Sequence, residues 1–253
     1  MGLTRPGVLF AVLTATLATC AVTAEFVGVK IFSLERSLGY GDFTWRLLGQ
    51  SGNLQFSAGT LLWPVVFVVT DVINDYFGTR GVRAATYLTA GLIAFAFAAV
   101  GVAIWLEPAP WWRTALGADG PADMQESFAA IFGQGMWIIV GSLVAFFVGQ
   151  LLDALVFRQI KRRTGDRLIW LRATASTLVG QFIDSFIVLY IAFVLGPQRW
   201  GLDLFFAVGS VNFAYKLIVA ILMIPALYGI HALIARYLGH AFAAALRAAA
   251  VRG

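Results

Sequence analysis

The sequence predicts an all-α, polytopic membrane protein with six transmembrane helices and both termini cytoplasmic. Three observations carry that expectation. The residues are 60% hydrophobic and only 12% charged, with a mean hydropathy of +0.83, where soluble domains carry roughly 25% charged residues. Apolar stretches of about 20 residues, the length that crosses a bilayer core, recur at 8–34, 57–77, 82–106, 135–158, 172–195 and 205–230. Lys and Arg, finally, fall unevenly on alternate connections. The whole of 1–253 therefore reads as a single six-helix transmembrane domain.

The first span has the look of a secretory signal. Arg5 precedes an apolar run, Ala21-Val22-Thr23-Ala24 resembles a cleavage site, and Leu17-Ala18-Thr19-Cys20 faintly resembles a lipoprotein box. The run continues through Phe32, longer than the roughly 7–15 residues of a signal-peptide core, so a first transmembrane helix is expected instead. The connection 107–134 holds Pro108, Pro110, Trp111, Trp112 and Pro121 and is expected outside the cytoplasm, with a short interfacial helix around Met124–Phe132. Residues 231–253 read as a cytoplasmic tail.

Orientation follows from the cations. With both termini inside, the cytoplasmic face carries Arg5, Arg80, Arg83, Arg236, Arg247, Arg252 and the cluster Arg158, Lys161, Arg162, Arg163, Arg167 and Arg172. The outer face carries Arg36, Arg46, Arg113 and Arg199, and Lys30 and Lys216 fall within spans. Twelve against four fixes the direction. The +5 net charge is thus a positive-inside signal facing anionic lipid. No aromatic-basic signature points to nucleic acid. The single Cys20 excludes an intramolecular disulfide, and His231 and His240 give no ligand spacing, so neither metal nor cofactor is expected. The expected partners are the bilayer and a small planar solute; a homodimer is compatible with the sequence.

The informative residues are polar ones inside the spans. Asp71 lies thirteen residues into the run that begins at Ala58, roughly 20 Å deep in a core about 30 Å thick. A central Asp costs about 2.5–3.5 kcal/mol on insertion scales and so marks a functional position. Asp71, Asn74 and Asp75 share one helix face at i, i+3 and i+4. Asp75, nearer the cytoplasmic end, is expected to meet Arg80 or Arg83. Thr177, Gln181 and Asp184 form a stripe on the fifth span, Phe146, Gln150 and Asp153 repeat its spacing on the fourth, and Asn212 and Lys216 share a face of the sixth. Glu25 and Lys30 are five apart, about 140° around a helix, and are not a natural pair. The acids Glu25, Asp71, Asp75, Asp153 and Asp184 outnumber the bases Lys30 and Lys216. Even with Asp75 and Asp153 assigned to flanking arginines, an acid is left for a proton, water or substrate.

Val148-Gly149-Gln150-Leu151-Leu152-Asp153 recurs as Val179-Gly180-Gln181-Phe182-Ile183-Asp184 on the next, oppositely directed span, a candidate inverted repeat or a local coincidence. Pro64 and Pro225 free the carbonyls of Thr60 and Ile221 and suggest interrupted helices near a site. Trp63, Phe67, Phe146, Phe182 and Tyr215 are available to stack on a planar ligand or to serve as packing. Gly39-Tyr40-Gly41-Asp42 matches the G-x-G-D of intramembrane aspartyl proteases but lies in a polar connection, with no matching Y-D on another span. No nucleophile–base pair or metal spacing supports an enzyme. Ala11 and Ala15 form a small-x-x-x-small pair like that of vitamin-binding subunits served by an ATPase, a pattern also common in helix packing.

Several of these residues together resemble one family. Pro64…Thr70-Asp71-Val72-Ile73-Asn74-Asp75-Tyr76-Phe77-Gly78 is similar to the F-P…T-D-x-x-N-E-x-x-G signature of the queuosine precursor transporters, also called the vitamin uptake transporters. Arg172…Ser176-Thr177…Gln181-Phe182-Ile183-Asp184-Ser185 and Lys216…Pro225…Tyr228 continue the resemblance, and Lys30 resembles the family's first-helix lysine. Trp63, Asp75, Glu25 and Ile224 depart from the family's Phe, Glu, Asn and Thr. The resemblance implies an inner-membrane importer of 7-cyano- and 7-aminomethyl-7-deazaguanine that binds the base near mid-membrane. The alternatives are a substrate-binding subunit of an ATPase-energised vitamin transporter, or an importer of another purine-like vitamin. The expected substrate-binding set is Asp71, Asn74, Gln181, Asp184, Lys216, Thr177, Trp63, Phe67 and Asn212. Glu25, Lys30, Asp75, Gln150 and Asp153 are expected as gating or structural ion-pairing groups.

Overall fold

The computed structural model describes residues 4–115, 117, 123–133, 136–164 and 169–252; the side chains of Asp153 and Thr177, both expected near the site, lie outside what is described. Helix α1 (Arg5–Val27) starts where the Thr4 hydroxyl accepts a hydrogen bond from Gly7 N at 3.4 Å, with a proline in the first turn. It stops at Gly28, short of the expected 34. Residues Ile31–Ser33 instead form β1, paired antiparallel with β4 (Gln55–Ser57). Between them lie a short helix α2 (Leu34–Ser37) and a nested hairpin of β2 (Trp45–Leu47) and β3 (Gln50–Gly52). Leu48 and Gly49, both at positive φ, close that hairpin as a two-residue turn of the primed type. Asp42 of the G-x-G-D run is held here by Arg36 at 2.6 and 2.7 Å. Those hydrogen bonds keep its carboxyl below the ordinary aspartate range, as befits a surface ion pair.

A short 3₁₀ turn (Ala58–Leu61) leads into α3 (Trp63–Trp105). Pro64 lies in the first turn of α3 and starts it rather than kinking it. At 43 residues the helix is about 65 Å long if straight, twice the bilayer core. It is not straight. Gly78 adopts φ 66°, ψ −170°, a conformation essentially restricted to glycine. A Cβ built on Gly81 would stand 3.4 Å from Ile73 Cγ2, although residues eight apart in a straight helix are about 12 Å apart. The chain therefore folds back at Gly78, and the limbs 63–77 and 79–105 replace the expected spans 57–77 and 82–106.

Next come the interfacial helix α4 (Met124–Phe132), α5 (Met136–Thr164), α6 (Ile169–Leu189) with a π-helical end Tyr190–Leu195, and α7 (Leu202–Leu222). α4 is capped by Asp123, which accepts from Gln125 N and Glu126 N, and Gln125 ties it to Ile104 O at 2.8 Å. The sixth expected span, 205–230, is interrupted. α7 ends at Leu222, and α8 (Ile224–Leu238) restarts with Pro225 in its first turn. The expected tail 231–253 is helical as well: it completes α8 and forms α9 (His240–Arg252), which packs against α3.

Among the described residues, five helices are long and apolar enough to cross a membrane: Arg5–Val27, Trp63–Trp105, Val140–Thr164, Leu178–Leu195 and Leu202–Leu222. Only 11% of the most apolar window of α3 is buried. Tyr87, Leu88, Leu92, Phe95, Val102 and Trp105 face outward, a patch that water would not tolerate and lipid would. The protein is thus an all-α polytopic membrane protein carrying two three-residue strand pairs. Its core runs from Leu13, Leu17 and Ala21 of α1 through Val66, Val72, Ile73 and Tyr76 of α3 to Phe146 and Phe157 of α5 and Leu227 of α8.

The break at Gly78 is also a contact, since a Cβ there would lie 2.8 Å from Ala250 O. Gly78→Ala is expected to lower stability by about 1–3 kcal/mol, read as a lower thermal midpoint in detergent. Gly91→Ala, with nothing within 4 Å of its added Cβ, should leave the midpoint in place or raise it slightly.

Candidate substrate pocket

The first limb of α3, α6, α7 and the start of α8 enclose a pocket of about 30 Å³. Its polar lining is Thr60, Asp71, Gln181, Tyr215 and Lys216; Trp63, Pro64, Phe67, Val219, Met223 and Leu227 complete the apolar wall. Trp63 stands with its ring centroid 6.1 Å from Phe67 and 5.8 Å from Phe146, which makes one wall aromatic. Asp71 is eight residues into α3, close to the middle of the 63–77 limb, and is 4% exposed. Lys216 Nζ donates to Asp184 Oδ2, so this acid and base neutralise one another beside the pocket. Gln181 is 3% exposed, and its Oε1 has no hydrogen-bond partner among the described residues. A buried, unpartnered amide oxygen costs about 1–3 kcal/mol unless something supplied from outside the chain meets it.

Of the nine residues expected to bind substrate, Asp71, Gln181, Lys216, Trp63 and Phe67 line the pocket, and Asp184 holds its lysine. Two others are engaged elsewhere. Asn74 donates to Ala154 O at 3.0 Å and ties α3 to α5, and Asn212 donates to Val208 O of its own helix at 3.1 Å. Phe182 is 47% exposed, away from the pocket, whereas Tyr215, only one of five candidate aromatics in the sequence, lines it. Glu25 is buried and accepts a hydrogen bond from Ser142 Oγ. Lys30 lies beyond the end of α1, exposed, and is not an intramembrane base. Gln150 is buried on α5, with neither amide atom hydrogen-bonded among the described residues. The repeated Val-Gly-Gln segments meet where α5 and α6 pack: a Cβ on Gly149 would sit 3.5 Å from Gly180 O and 3.6 Å from Asp184 Cβ. The repeat therefore lies in the packed contact between two antiparallel helices.

One turn beyond Asp71, Asp75 is wholly buried, but its partners are neither Arg80 nor Arg83, both of which are exposed. Lys161 Nζ lies 2.6 Å from Asp75 Oδ1 and donates to its backbone carbonyl at 2.7 Å. His231 Nδ1 and Arg247 Nη1 approach Asp75 Oδ2 at 3.8 and 3.9 Å. Tyr76 stacks on His231, and the Arg247 guanidinium lies 6.0 Å from the Tyr76 ring centre. Lys161 is thus internal, 3% exposed, rather than one more surface cation of the basic cluster. Its spacing from Ala154, which accepts from Asn74, is seven residues, two helical turns. That shared face is the signal that separates Lys161 from Arg162 and Arg163, which are exposed.

Residues 57–230 match the family model described as "Putative vitamin uptake transporter". The chain belongs to the vitamin uptake transporter family. It is 33% identical over 179 residues to a "Probable queuosine precursor transporter" of Bacillus subtilis (strain 168), covering 69% of this chain and 71% of that protein. It is 25% identical over 185 residues to a protein of the same description from Haemophilus influenzae (strain ATCC 51907 / DSM 11121 / KW20 / Rd), covering 72% of each. It is 24% identical over 178 residues to the "Queuosine precursor transporter" of Escherichia coli (strain K12), covering 68% of this chain and 71% of that one. No solved structure matches the chain. As a member of this family it is a multi-pass bacterial inner-membrane transporter and not an enzyme.

The matched region contains the whole pocket, and α9, which carries Arg247, lies beyond it. Breaking a buried ion pair from one side costs about 3–5 kcal/mol, because the other charge is left without its partner. Lys161→Met is expected to lower the thermal midpoint in detergent sharply and to reduce folded yield. Adding Asp75→Asn to Lys161→Met should recover much of the loss. A double variant as unstable as the single one would show that the two residues are not coupled.

Proposed function

We propose that this transporter imports 7-deazaguanine precursors of queuosine, the 7-cyano and 7-aminomethyl compounds, and binds the base in the pocket between α3, α6 and α7. The observation that carries the reading is the unpartnered Gln181 Oε1 beside Asp71 and Lys216, in a cavity walled by Trp63 and Phe67. A guanine-type edge offers adjacent N–H and NH₂ donors and one carbonyl acceptor. A carboxylate accepts both donors and an ammonium donates to the carbonyl, while an amide oxygen accepts the remaining N–H. The relatives described as queuosine precursor transporters support this reading. An aminomethyl substituent adds a cation that suits a pocket with two carboxylates nearby.

The chain crosses six times in this reading, with α3 counted as two passes, and both termini are cytoplasmic. Arg5 Nη1 donates to Tyr237 O at 3.4 Å, which puts the start of α1 and the end of α8 at one end of the bundle. That is the end where Arg158 meets Thr79 beside the Gly78 break. Basic side chains gather there, as cytoplasmic ends require. The nested strand pairs occupy the outer end. The cluster around Asp75 closes the inner path, and the α7–α8 interruption at Met223 gives the inner wall of the pocket a joint. A cavity of about 30 Å³ holds one or two waters, so substrate is taken up by movement of the wall.

Uptake of each precursor in cells lacking their own route tests this. Asp71→Asn and Lys216→Met are each expected to reduce uptake about 10- to 100-fold, the worth of one hydrogen bond to a charged group. Asn212→Ala should stay within about twofold of the parent. Normal uptake by both Asp71→Asn and Asp184→Asn would overturn the site, and no uptake by the parent would overturn the substrate. Uptake by the purified chain in liposomes without ATP is expected; its failure would favour a subunit that depends on an ATPase.

A further inference from the structure

We propose that Tyr215 is the platform on which the planar substrate stacks, and that Phe56 of the outer strand pair occupies that platform as a plug until substrate replaces it. This rests on the pocket being the substrate site. Phe56 belongs to a three-residue strand outside the helical bundle, yet it is only 2% exposed. Its ring lies on Tyr215 with centroids 4.2 Å apart and an angle of 22° between planes, the closest ring contact in the described residues. Tyr215 lines the pocket and immediately precedes Lys216, which lines it too. A ring stacked on Tyr215 therefore lies beside the ammonium assigned to the substrate carbonyl.

The strand pair is built to let one ring move while its base stays fixed. Ser57 Oγ donates to Gly28 O at 2.7 Å, Ala58 N donates to Lys30 O at 2.8 Å, and Thr60 Oγ1 donates to Ser57 O at 2.7 Å. A Cβ on Gly59 would lie 2.6 Å from Ala24 O. These contacts pin the residues that follow Phe56 to the end of α1. Phe56 itself is held by pairing with Phe32 across a strand pair of three residues each, with ring centroids 6.3 Å apart. The cavity, about 30 Å³, is far below the few hundred Å³ of sites that bury a bicyclic ligand. The volume of a phenyl ring is what has to be vacated. Exchanging one aromatic stack for another keeps the net cost of opening small, and a non-planar solute cannot make the exchange.

The test uses accessibility from outside whole cells, in a Cys20→Ala background that carries no other thiol. Thr60→Cys places a reporter in the pocket, and Ser51→Cys, exposed on β3, places one on the hairpin. With a membrane-impermeant maleimide, Ser51→Cys should label quickly whatever stands at 56. Thr60→Cys should label slowly with Phe56 in place, at least about tenfold faster with Phe56→Ala, and slowly again with Phe56→Trp. Equal Thr60→Cys rates in all three would overturn the plug, and an unlabelled Ser51→Cys would overturn it by placing the hairpin elsewhere. For the platform, Tyr215→Leu should raise the uptake KM about tenfold or more and Tyr215→Trp should restore it; an unchanged KM in Tyr215→Leu would overturn the stack. The labelling arm needs no substrate. If the parent takes up neither precursor, the substrate assignment fails while the plug is still judged by labelling, and the platform is then judged by whether Tyr215→Leu speeds labelling of Thr60→Cys as Phe56→Ala does.

Discussion

A carboxylate buried among apolar helices is tolerated only where cations come to it, and Asp75 is where they come. The Lys161 ammonium arrives from α5 and the Arg247 guanidinium from α9, and the His231 ring approaches from α8. α5 is far in sequence from the consecutive helices α8 and α9, and all three meet at this one anion. The backbone carbonyl of Asp75 takes a second bond from Lys161, which fixes the helix as well as its side chain. The sharp reversal at Gly78 follows within one turn and is backed by Ala250 of α9. The position of the first limb of α3, and with it Asp71, Trp63 and Phe67, depends on that anchor.

The same helix face carries two different electrostatic designs one turn apart. Around Asp75 the cations outnumber the acid and close packing excludes water. Around Asp71 the lining is polar: Lys216 is paired with Asp184, and Gln181 presents an oxygen with no hydrogen-bond partner among the described residues. The first is countered from three helices, and the second leaves a polar atom for a group from outside the chain to meet. Anchor and pocket therefore divide the stripe, and four residues separate structure from transport.

The helical architecture is legible in the sequence because lipid imposes a length and a composition on every crossing. The interfacial helix Met124–Phe132 is legible for the same reason, having a capping Asp123 and an apolar face. The strands at 31–33 and 55–57 are not, since three residues give too little alternation to distinguish them from the end of an apolar helix. The pocket residues Asp71, Gln181, Asp184 and Lys216 stand out as charges and amides where lipid penalises them. The true partners of Asp75 do not. Lys161 is hidden within a run of surface cations, and Arg247 and His231 lie in what reads as a polar tail. Pairing between helices is set by packing, which periodicity within one helix does not report. Tyr215 is one aromatic among many, and only its contact with Phe56 separates it from the rest.

The convergence on Asp75 has a consequence for how the chain is made. Lys161 follows Asp75 by 86 positions, and Arg247 is later still. During synthesis the first limb of α3 enters the insertion machinery with its carboxylate facing none of the cations that later neutralise it. The nascent chain must keep that carboxylate hydrated or sheltered until α5 arrives, and Arg247 joins it only once α9 has been made. Docking of α9 against α3 is thus a late event on which the surroundings of an early helix depend.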